Sequence, residues 1–410
     1  MIARDRWNDS VGRLPVRSNE RNVDIDILRG LALFGVIIVN VFYFSIPDDY
    51  HYDYFMGLGD PVNVGIYKII TRLFYEKFYP IFSFLFGVGF YIQFVRVKQK
   101  GINANSLLIW RMFILLLIGI AHQFLVWEGD ILLIYAVFGF TLLAFERVPP
   151  KLLLIIGAIL YSLPILLTVA KILFDLSWPE PKVSDTFQGY VDFYTTSPYW
   201  EIARQRAHIV LSRFVNLEWL IYQLNRLAYF LFGLYAGKTT LIDTFASRKK
   251  YWLIVWIASL SVFLGYRVVQ LMGLIELVES GSILWDAVNK ILVGIADFAQ
   301  VISYITGVLL LLTIPKIQQL LKPFAVVGRM ALTVYLFHTT VYSFIFYSFG
   351  LGLYGQLSSV DFTVIAITVY ISGFVFSSIW LRHFQYGPFE WAWRSLTYGT
   401  VLPIMKKTKV

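Results

Sequence analysis

Three apolar stretches of this chain carry side chains that suit acid–base chemistry. One reads Arg111-Met-Phe-Ile-Leu-Leu-Leu-Ile-Gly119-Ile-Ala-His122-Gln123 and turns through Trp127-Glu128-Gly129-Asp130 into the next apolar run. Imidazole is the side chain best fitted to move protons near neutral pH. A carboxylate at a helix start, such as Asp130, can accept backbone N–H bonds or orient the His122 ring. Another stretch reads Gly328-Arg329-Met-Ala-Leu-Thr333-Val-Tyr335-Leu-Phe-His338, with Tyr335 one turn below His338. A third opens Asp24-Ile-Asp26-Ile-Leu-Arg29-Gly30 and later carries Asn40.

The spacing repeats. Arg29 and Asn40 are eleven residues apart, and so are Arg111 and His122. Eleven residues make three helical turns, about 16 Å. Each arginine therefore shares a helix face with a polar group well above it. Asp26 and Arg29 are three apart and can pair. Plain structural roles stand beside these. Arg29 also suits a helix-end anchor, Asn40 and His122 suit interhelical hydrogen bonds, and Asp130 suits a simple cap. Further polar groups are Asp297, Gln300 and Tyr304 on one helical face, Asn225-Arg226, and Arg267. They imply a hydrated or ligand-filled interior, or a structural polar network.

The elements that must position these groups are membrane helices. The chain has 410 residues, 58% hydrophobic and only 15% charged, with a mean hydropathy of +0.66. Soluble chains carry about 25% charge. A soluble fold cannot bury this much apolar surface, and disordered chains lack it. Apolar runs near the roughly 20 residues needed to span a bilayer occur at 27–46, 77–97, 108–127, 131–146, 152–174, 219–237, 252–272, 288–314, 329–349 and 361–381. The fold class is thus all-α, a polytopic bundle of about ten transmembrane helices. Continuous runs exclude a transmembrane barrel, which alternates.

Basic residues set the orientation. With both termini cytoplasmic, 23 of the 35 Lys and Arg residues fall on that side, whereas Asp48, Asp49, Asp53 and Asp60 fall opposite. The expected organisation is a basic cytoplasmic tail at 1–26, helices 1–5 over 27–174, an extracytoplasmic segment at 175–217, helices 6–10 over 218–382 and a cytoplasmic end at 383–410. Within 175–217, Trp178, Pro179 and Pro181 precede a helix start at Ser197-Pro198 that leads into an interfacial helix over 198–216, suited to roof a cavity or to rest on headgroups. The outer loop with Glu276, Glu279 and Asp286 is acidic. Residues 383–400 read as a second interfacial helix, with Glu390 and Arg394 four apart. The net charge of +9 is then a topology signal, and no nucleic-acid partner is implied. The chain has no cysteine, and its five histidines include no HExxH, so no metal is expected. The string Gly350-Leu-Gly352-Leu-Tyr-Gly355 lies between two spans with no preceding strand, and reads as a turn.

The run from Asp26 through Arg29-Gly30 to Asn40 resembles the opening span of the transmembrane acyltransferase superfamily. Three further segments resemble its YeiB-like branch, whose C-terminal half is domain of unknown function 418. They are Lys77-Phe78-Tyr-Pro-Ile-Phe82-Ser83-Phe-Leu-Phe86-Gly87-Val-Gly89, then Gly119-Ile-Ala-His122 with Gly129-Asp130 to Tyr135-Ala136, then Gly328-Arg329 paired with Gly387-Pro388-Phe-Glu390-Trp391-Ala-Trp-Arg394. Together they span nearly the whole chain. The superfamily includes acyltransferase-3 proteins and heparan-α-glucosaminide N-acetyltransferases. The resemblance implies transfer of an acyl group, usually acetyl, from cytoplasmic acyl-CoA to an extracytoplasmic acceptor such as a cell-surface glycan or small metabolite. It also implies a multi-pass protein of a cell membrane, here a bacterial plasma membrane, contacting membrane lipids; a homodimer is one candidate assembly. Acyltransferase-3 proteins have a catalytic His where this chain has Asn40, so that role does not carry over. His51 lies in the loop that holds the catalytic His of the lysosomal relatives, without the matching neighbours.

Acyl transfer needs a base, donors for the developing oxyanion and a site for phosphates. The expected catalytic set is His122 with Asp130 as base or acyl carrier, and Asn40 and His338 as carbonyl donors. Arg29, Arg111 and Arg329 are expected at the CoA phosphates, with Asp26 and Lys77 completing the donor-binding set. A transporter or lipid-binding protein could use the same polar interior without chemistry. A degenerate acyltransferase acting as a sensor is a third reading.

Overall fold

A computed structural model describes residues 22–174, 186–272 and 282–406. Most of the basic tail, Trp178, Pro179 and Pro181, Glu276 and Glu279, and Lys407 and Lys409 lie outside the described residues. The ten expected spans appear as α1 (Val23–Ser45), α4 (Phe78–Gln99), α5 (Ala104–Leu125), α6 (Leu132–Phe145), α7 (Pro150–Phe174), α10 (Leu217–Lys238), α11 (Lys249–Leu271), α12 (Ile283–Leu312), α15 (Ala331–Phe346) and α16 (Ser359–His383). Between them run α2 (His51–Gly57), α3 (Pro61–Leu73), α8 (Phe187–Thr196), α9 (Tyr199–Val215), α13 (Pro315–Leu321), α14 (Phe324–Arg329) and α17 (Pro388–Tyr398). Seven stretches of the described residues are long and apolar enough to cross a membrane; α6 and α15 are shorter apolar helices. The molecule is a helical membrane bundle.

Burial sorts these helices. α1 is the central post, with buried residues on nearly every face from Ile25 to Ser45. Its start is fixed by Asn22, whose Oδ1 accepts the N–H groups of Asp24 and Ile25. Asp24 and Asp26 in the first turn face the positive end of the helix dipole. By contrast α7 and α11 turn Ile155, Ile159, Leu166, Ile254, Ile257 and Leu264 outward. Such faces suit lipid, where every helix satisfies its own backbone.

Close helix contacts depend on glycine at two places that matter for the site. A Cβ on Gly30 would stand 2.1 Å from the Phe324 carbonyl oxygen, and one on Gly328 would stand 1.9 Å from that of Asp26. α1 and α14 therefore touch backbone to backbone. A Cβ on Gly119 would stand 2.5 Å from the Leu133 amide nitrogen, so α5 lies directly against the start of α6.

Two expectations change. The loop at 47–76 contains two helices; Asp60 caps α3 through the Asn63 N–H, and Pro61 takes its first position. The ninth span does not start at Arg329, because Met330, at φ −115° and ψ 30°, separates α14 from α15. Glu390, four residues before Arg394, reaches α15. α9 packs along the loop that follows α5, with the Arg206 guanidinium donating to the Leu125 carbonyl.

Candidate functional site

The Gly30–Gly328 contact sets Arg29 and Arg329 side by side. Together with Arg111 they line one cavity of about 330 Å³ at the Val23 end of the bundle. Asp26, Arg96, Lys100 and Arg394 share its wall. Arg29 Nη1 lies 3.4 Å from Asp26 Oδ1, the pairing that their spacing implied. The Arg111 guanidinium stacks 3.6 Å over the Trp393 ring of α17, an arrangement a planar cation favours. Trp393 Nε1–H also donates to the Arg111 carbonyl. α17 forms one side of the mouth through Glu390, Trp393, Arg394 and Tyr398. Burial raises the Glu390 pKa above the usual carboxylate value, although the donors it meets on Thr333 and Leu332 pull the other way.

Deeper in, the walls become apolar: Leu33, Val36, Phe82, Leu85 and Phe86. The closed end is formed by Tyr135, Ile131, Leu132 and Tyr335. Behind Tyr335 lies a buried polar centre. His122 Nδ1 is 2.9 Å from Asp130 Oδ1, and Nε2 is 2.8 Å from the Thr339 hydroxyl. The Tyr335 phenol donates to the same Asp130 Oδ1 at 2.9 Å. Asp130 Oδ2 accepts the N–H groups of Leu132 and Leu133. Asp130 thus both caps α6 and orients the imidazole. In the tautomer that directs Nδ1–H to Asp130, the His122 Nε2 lone pair faces the Thr339 hydroxyl. Carboxylate, imidazole and hydroxyl stand in the order of a hydrolase triad.

Asn40 and His338 form a second pair in the same layer. Asn40 Nδ2 donates to His338 Nε2 at 3.0 Å, while His338 Nδ1 faces the Val334 carbonyl at 3.4 Å. The Tyr79 phenol donates to Asn40 Oδ1. Asn40, His338 and Thr339 are fully buried. Neither His122 nor His338 lines the arginine cavity, which stops at the tyrosines.

Lys77 is not part of this cavity. It sits at the Ser45 end, where its Nζ lies 2.8 Å from Asp297 Oδ1. It precedes α4 at the end opposite Arg96, a full helix length from Arg29, Arg111 and Arg329, so the structure does not bring it together with the other residues expected in the donor-binding set. The stripe on α12 is also structural in part. Gln300 Nε2 donates to the Arg72 carbonyl and the Tyr304 phenol to that of Leu73, closing the end of α3. His51 is buried and bonds the Ile46 carbonyl at 2.9 Å through Nε2, fastening α2 to the end of α1.

A second, smaller cavity of about 120 Å³ lies at the Ser45 end, lined by Glu76, Tyr79, Tyr222, Asn225, Arg226, Lys290 and Asp297 among others. Spacing alone does not single out Tyr79 and Thr339. Thr339 follows His338 directly in a mid-span run, and Tyr79 lies within the Lys77–Gly89 motif, so a search for hydroxyls beside the histidines would have raised both.

Fold and site define a polytopic helical membrane protein with a basic-mouthed cavity beneath a buried His–Asp pair. The chain belongs to the family of the uncharacterized protein YxaH of Bacillus subtilis (strain 168), to which it is 35% identical over 97% of its length and 99% of the relative's. It is 27% identical to an uncharacterized 39.9 kDa protein in the amylase 3' region of Bacillus acidopullulyticus, over 96% of this chain and 98% of that one. It is also 25% identical to the uncharacterized protein YeiB of Escherichia coli (strain K12), over 95% and 99%. Residues 236–400 match the family described as protein of unknown function DUF418.

Proposed function

We propose that this chain is a membrane acyltransferase of the transmembrane acyltransferase superfamily. It moves an acyl group, acetyl in the simplest case, from acyl-CoA at the Val23 end to an acceptor entering from the other end. The observation that carries the reading is the position of Arg29, Arg111 and Arg329 around the mouth of a cavity whose far wall, Tyr335, is bonded to Asp130 and through it to His122. Guanidinium groups suit phosphates. A narrow apolar shaft above them suits a pantetheine arm.

In this reading the Val23 end faces the cytoplasm of a bacterial cell, as the Lys and Arg distribution favours. The acceptor hydroxyl or amine gives its proton to His122 as its oxygen or nitrogen bonds to the thioester carbonyl carbon. The C–S bond breaks and CoA leaves as the thiol with that proton. Asn40 Nδ2 and protonated His122 are the donors nearest the developing oxyanion. Tyr335 must swing away from Asp130 for the thioester to reach this centre.

Calorimetric titration of the detergent-purified protein with acetyl-CoA tests the donor site; no binding at millimolar concentration rejects it. CoA release from membranes supplied with acetyl-CoA and mixed glycans, against an empty-vector control, tests transfer. The two cavities on opposite sides of a closed centre also favour a second reading, an occluded transporter. Proteoliposomes that accumulate a solute without releasing CoA would decide for it.

A further inference from the structure

The smaller cavity has a charge balance that its lining alone does not reveal. Its two carboxylates are engaged. Asp297 accepts from Lys77 at 2.8 Å and faces Arg267 at 3.4 Å. Glu76, held at the left-handed φ of 57°, accepts the Tyr222 phenol. Two cations therefore attend one carboxylate. Arg226 and Lys290 also line the space. Arg226 spends one nitrogen on Gln223 and lies over the Tyr79 and Tyr222 rings. Among the described residues Lys290 is exposed and contributes donors to the cavity wall with no carboxylate of its own. Counting Lys77 and Arg267, which reach Asp297 but do not line the cavity, four cations attend the two carboxylates, an excess of two positive charges around a space of about 120 Å³. At roughly 30 Å³ for each water, that is room for about four waters or one small head group. A recess with a surplus of positive charge favours a counter-ion.

We infer that this cavity binds a small anion-bearing, hydroxyl-containing molecule, its phosphate or carboxylate held by Arg226 and Lys290 and its hydroxyl turned toward Tyr79. Tyr79 is the wall shared with the polar centre, because its phenol donates to Asn40, which donates to His338. Under the acyl-transfer reading, on which the word acceptor rests, this molecule is the acceptor. The anion can belong to a free phosphate ester or to a lipid head group; the chemistry is the same.

Purified protein in neutral detergent is titrated with glycerol 3-phosphate and, separately, with glycerol. In a parallel arm, thermal unfolding is compared in nanodiscs of phosphatidylglycerol and of phosphatidylcholine. The expected result is saturable glycerol 3-phosphate binding with no glycerol binding, weakened at least tenfold in Arg226→Gln and in Lys290→Gln, unchanged in Arg111→Gln, and restored in part by Arg226→Lys. A response only to phosphatidylglycerol, lost in the Arg226→Gln, Lys290→Gln double variant, assigns the same site to a lipid. Lys290 is exposed, so its variant keeps the fold even where Arg226→Gln does not. No response to either anion, or responses that both variants leave intact, overturns the inference. CoA release is measured separately: binding without release keeps this site and removes acyl transfer, and release without anion binding does the reverse.

Discussion

Glu390 caps a helix fifty-eight residues away in sequence: its Oε1 accepts the Leu332 N–H at 2.8 Å and the Thr333 N–H at 3.0 Å. Its Oε2 takes the Thr333 hydroxyl. α15 has no cap of its own, since Met330 offers no side-chain oxygen. The helix that carries His338 and Thr339 is therefore fastened to α17, which also walls the arginine cavity. Glu390→Ala should cost about 1–2 kcal/mol, the usual value of a lost cap, and lower the unfolding temperature by a few degrees. Glu390→Gln keeps one acceptor oxygen and should fall between. Tryptophan-fluorescence melts in one detergent check this; an unchanged Glu390→Ala melt refutes the cap.

The Gly30–Gly328 contact makes a harsher prediction. Gly328→Ala puts a methyl group where the Asp26 carbonyl oxygen lies, and the helices cannot both stay. Overpacking costs about 1–3 kcal/mol. Because Arg29 and Arg329 follow the same two backbones, acetyl-CoA binding should weaken with it. Gly65→Ala, where a Cβ meets nothing within 4 Å, is the control. Melting and calorimetry on both variants suffice, and equal behaviour of the two refutes the argument.

These contacts show what could be read from the chain and what could not. Hydropathy placed the membrane helices, seven of whose stretches are long and apolar enough to cross a bilayer, because a bilayer demands long apolar runs whatever their partners. The eleven-residue spacings placed Arg29 below Asn40 and Arg111 below His122 because helix geometry is local. Asp130 was legible as both cap and ring partner, since it lies eight residues from His122 across one turn. The union of Arg29 with Arg329, the reach of Thr339 to His122 and the capping by Glu390 are contacts between distant segments, and no local period encodes them. The separation of Lys77 from the arginines is not local either. A motif names residues that occur together in a chain, but its lysine stands at the other end of the helix from the arginine cavity. α2 and α3 are not legible as spans because they are short and lie in a loop rich in aspartate.

His51 gives a pH prediction. Burial holds the His51 imidazole below its ordinary pKa of 6.5, against the opposing pull of Asp48 and the Ile46 carbonyl. As pH falls through 6.5 the unfolded chain takes up this proton before the folded one does. The stability contributed by neutral His51 is therefore full above that pH and is lost below it. Melting temperatures between pH 8 and pH 5, roughly the window in which histidine titrates, should fall toward the acid side. His51→Gln should be less stable at neutral pH and show a flatter profile. An identical slope in the variant would assign the acid sensitivity to other groups.

The proposed division of labour between cavity and centre predicts opposite kinetic signatures. His122 bonds Asp130 and Thr339 and does not itself line the arginine cavity. His122→Gln should lower the rate of CoA release by about 10²–10⁴-fold, the usual weight of a positioned general base, with acetyl-CoA affinity within about twofold of the parent because ordinary surface-to-surface contacts at the mouth are untouched. Arg111→Gln loses both a phosphate partner and the stacking on Trp393. It should weaken acetyl-CoA binding by about tenfold, near the 1.4 kcal/mol that such a factor represents, and leave saturated turnover nearly unchanged. Tyr335→Phe removes the phenol from Asp130 while keeping the ring that closes the shaft, so its effect should fall on turnover alone. Single-turnover and titration experiments on the three variants separate binding from chemistry. A loss of acetyl-CoA affinity in His122→Gln equal to that in Arg111→Gln would mean that the two sites are one, and the assignment of donor binding to the mouth and proton transfer to the buried centre would fail.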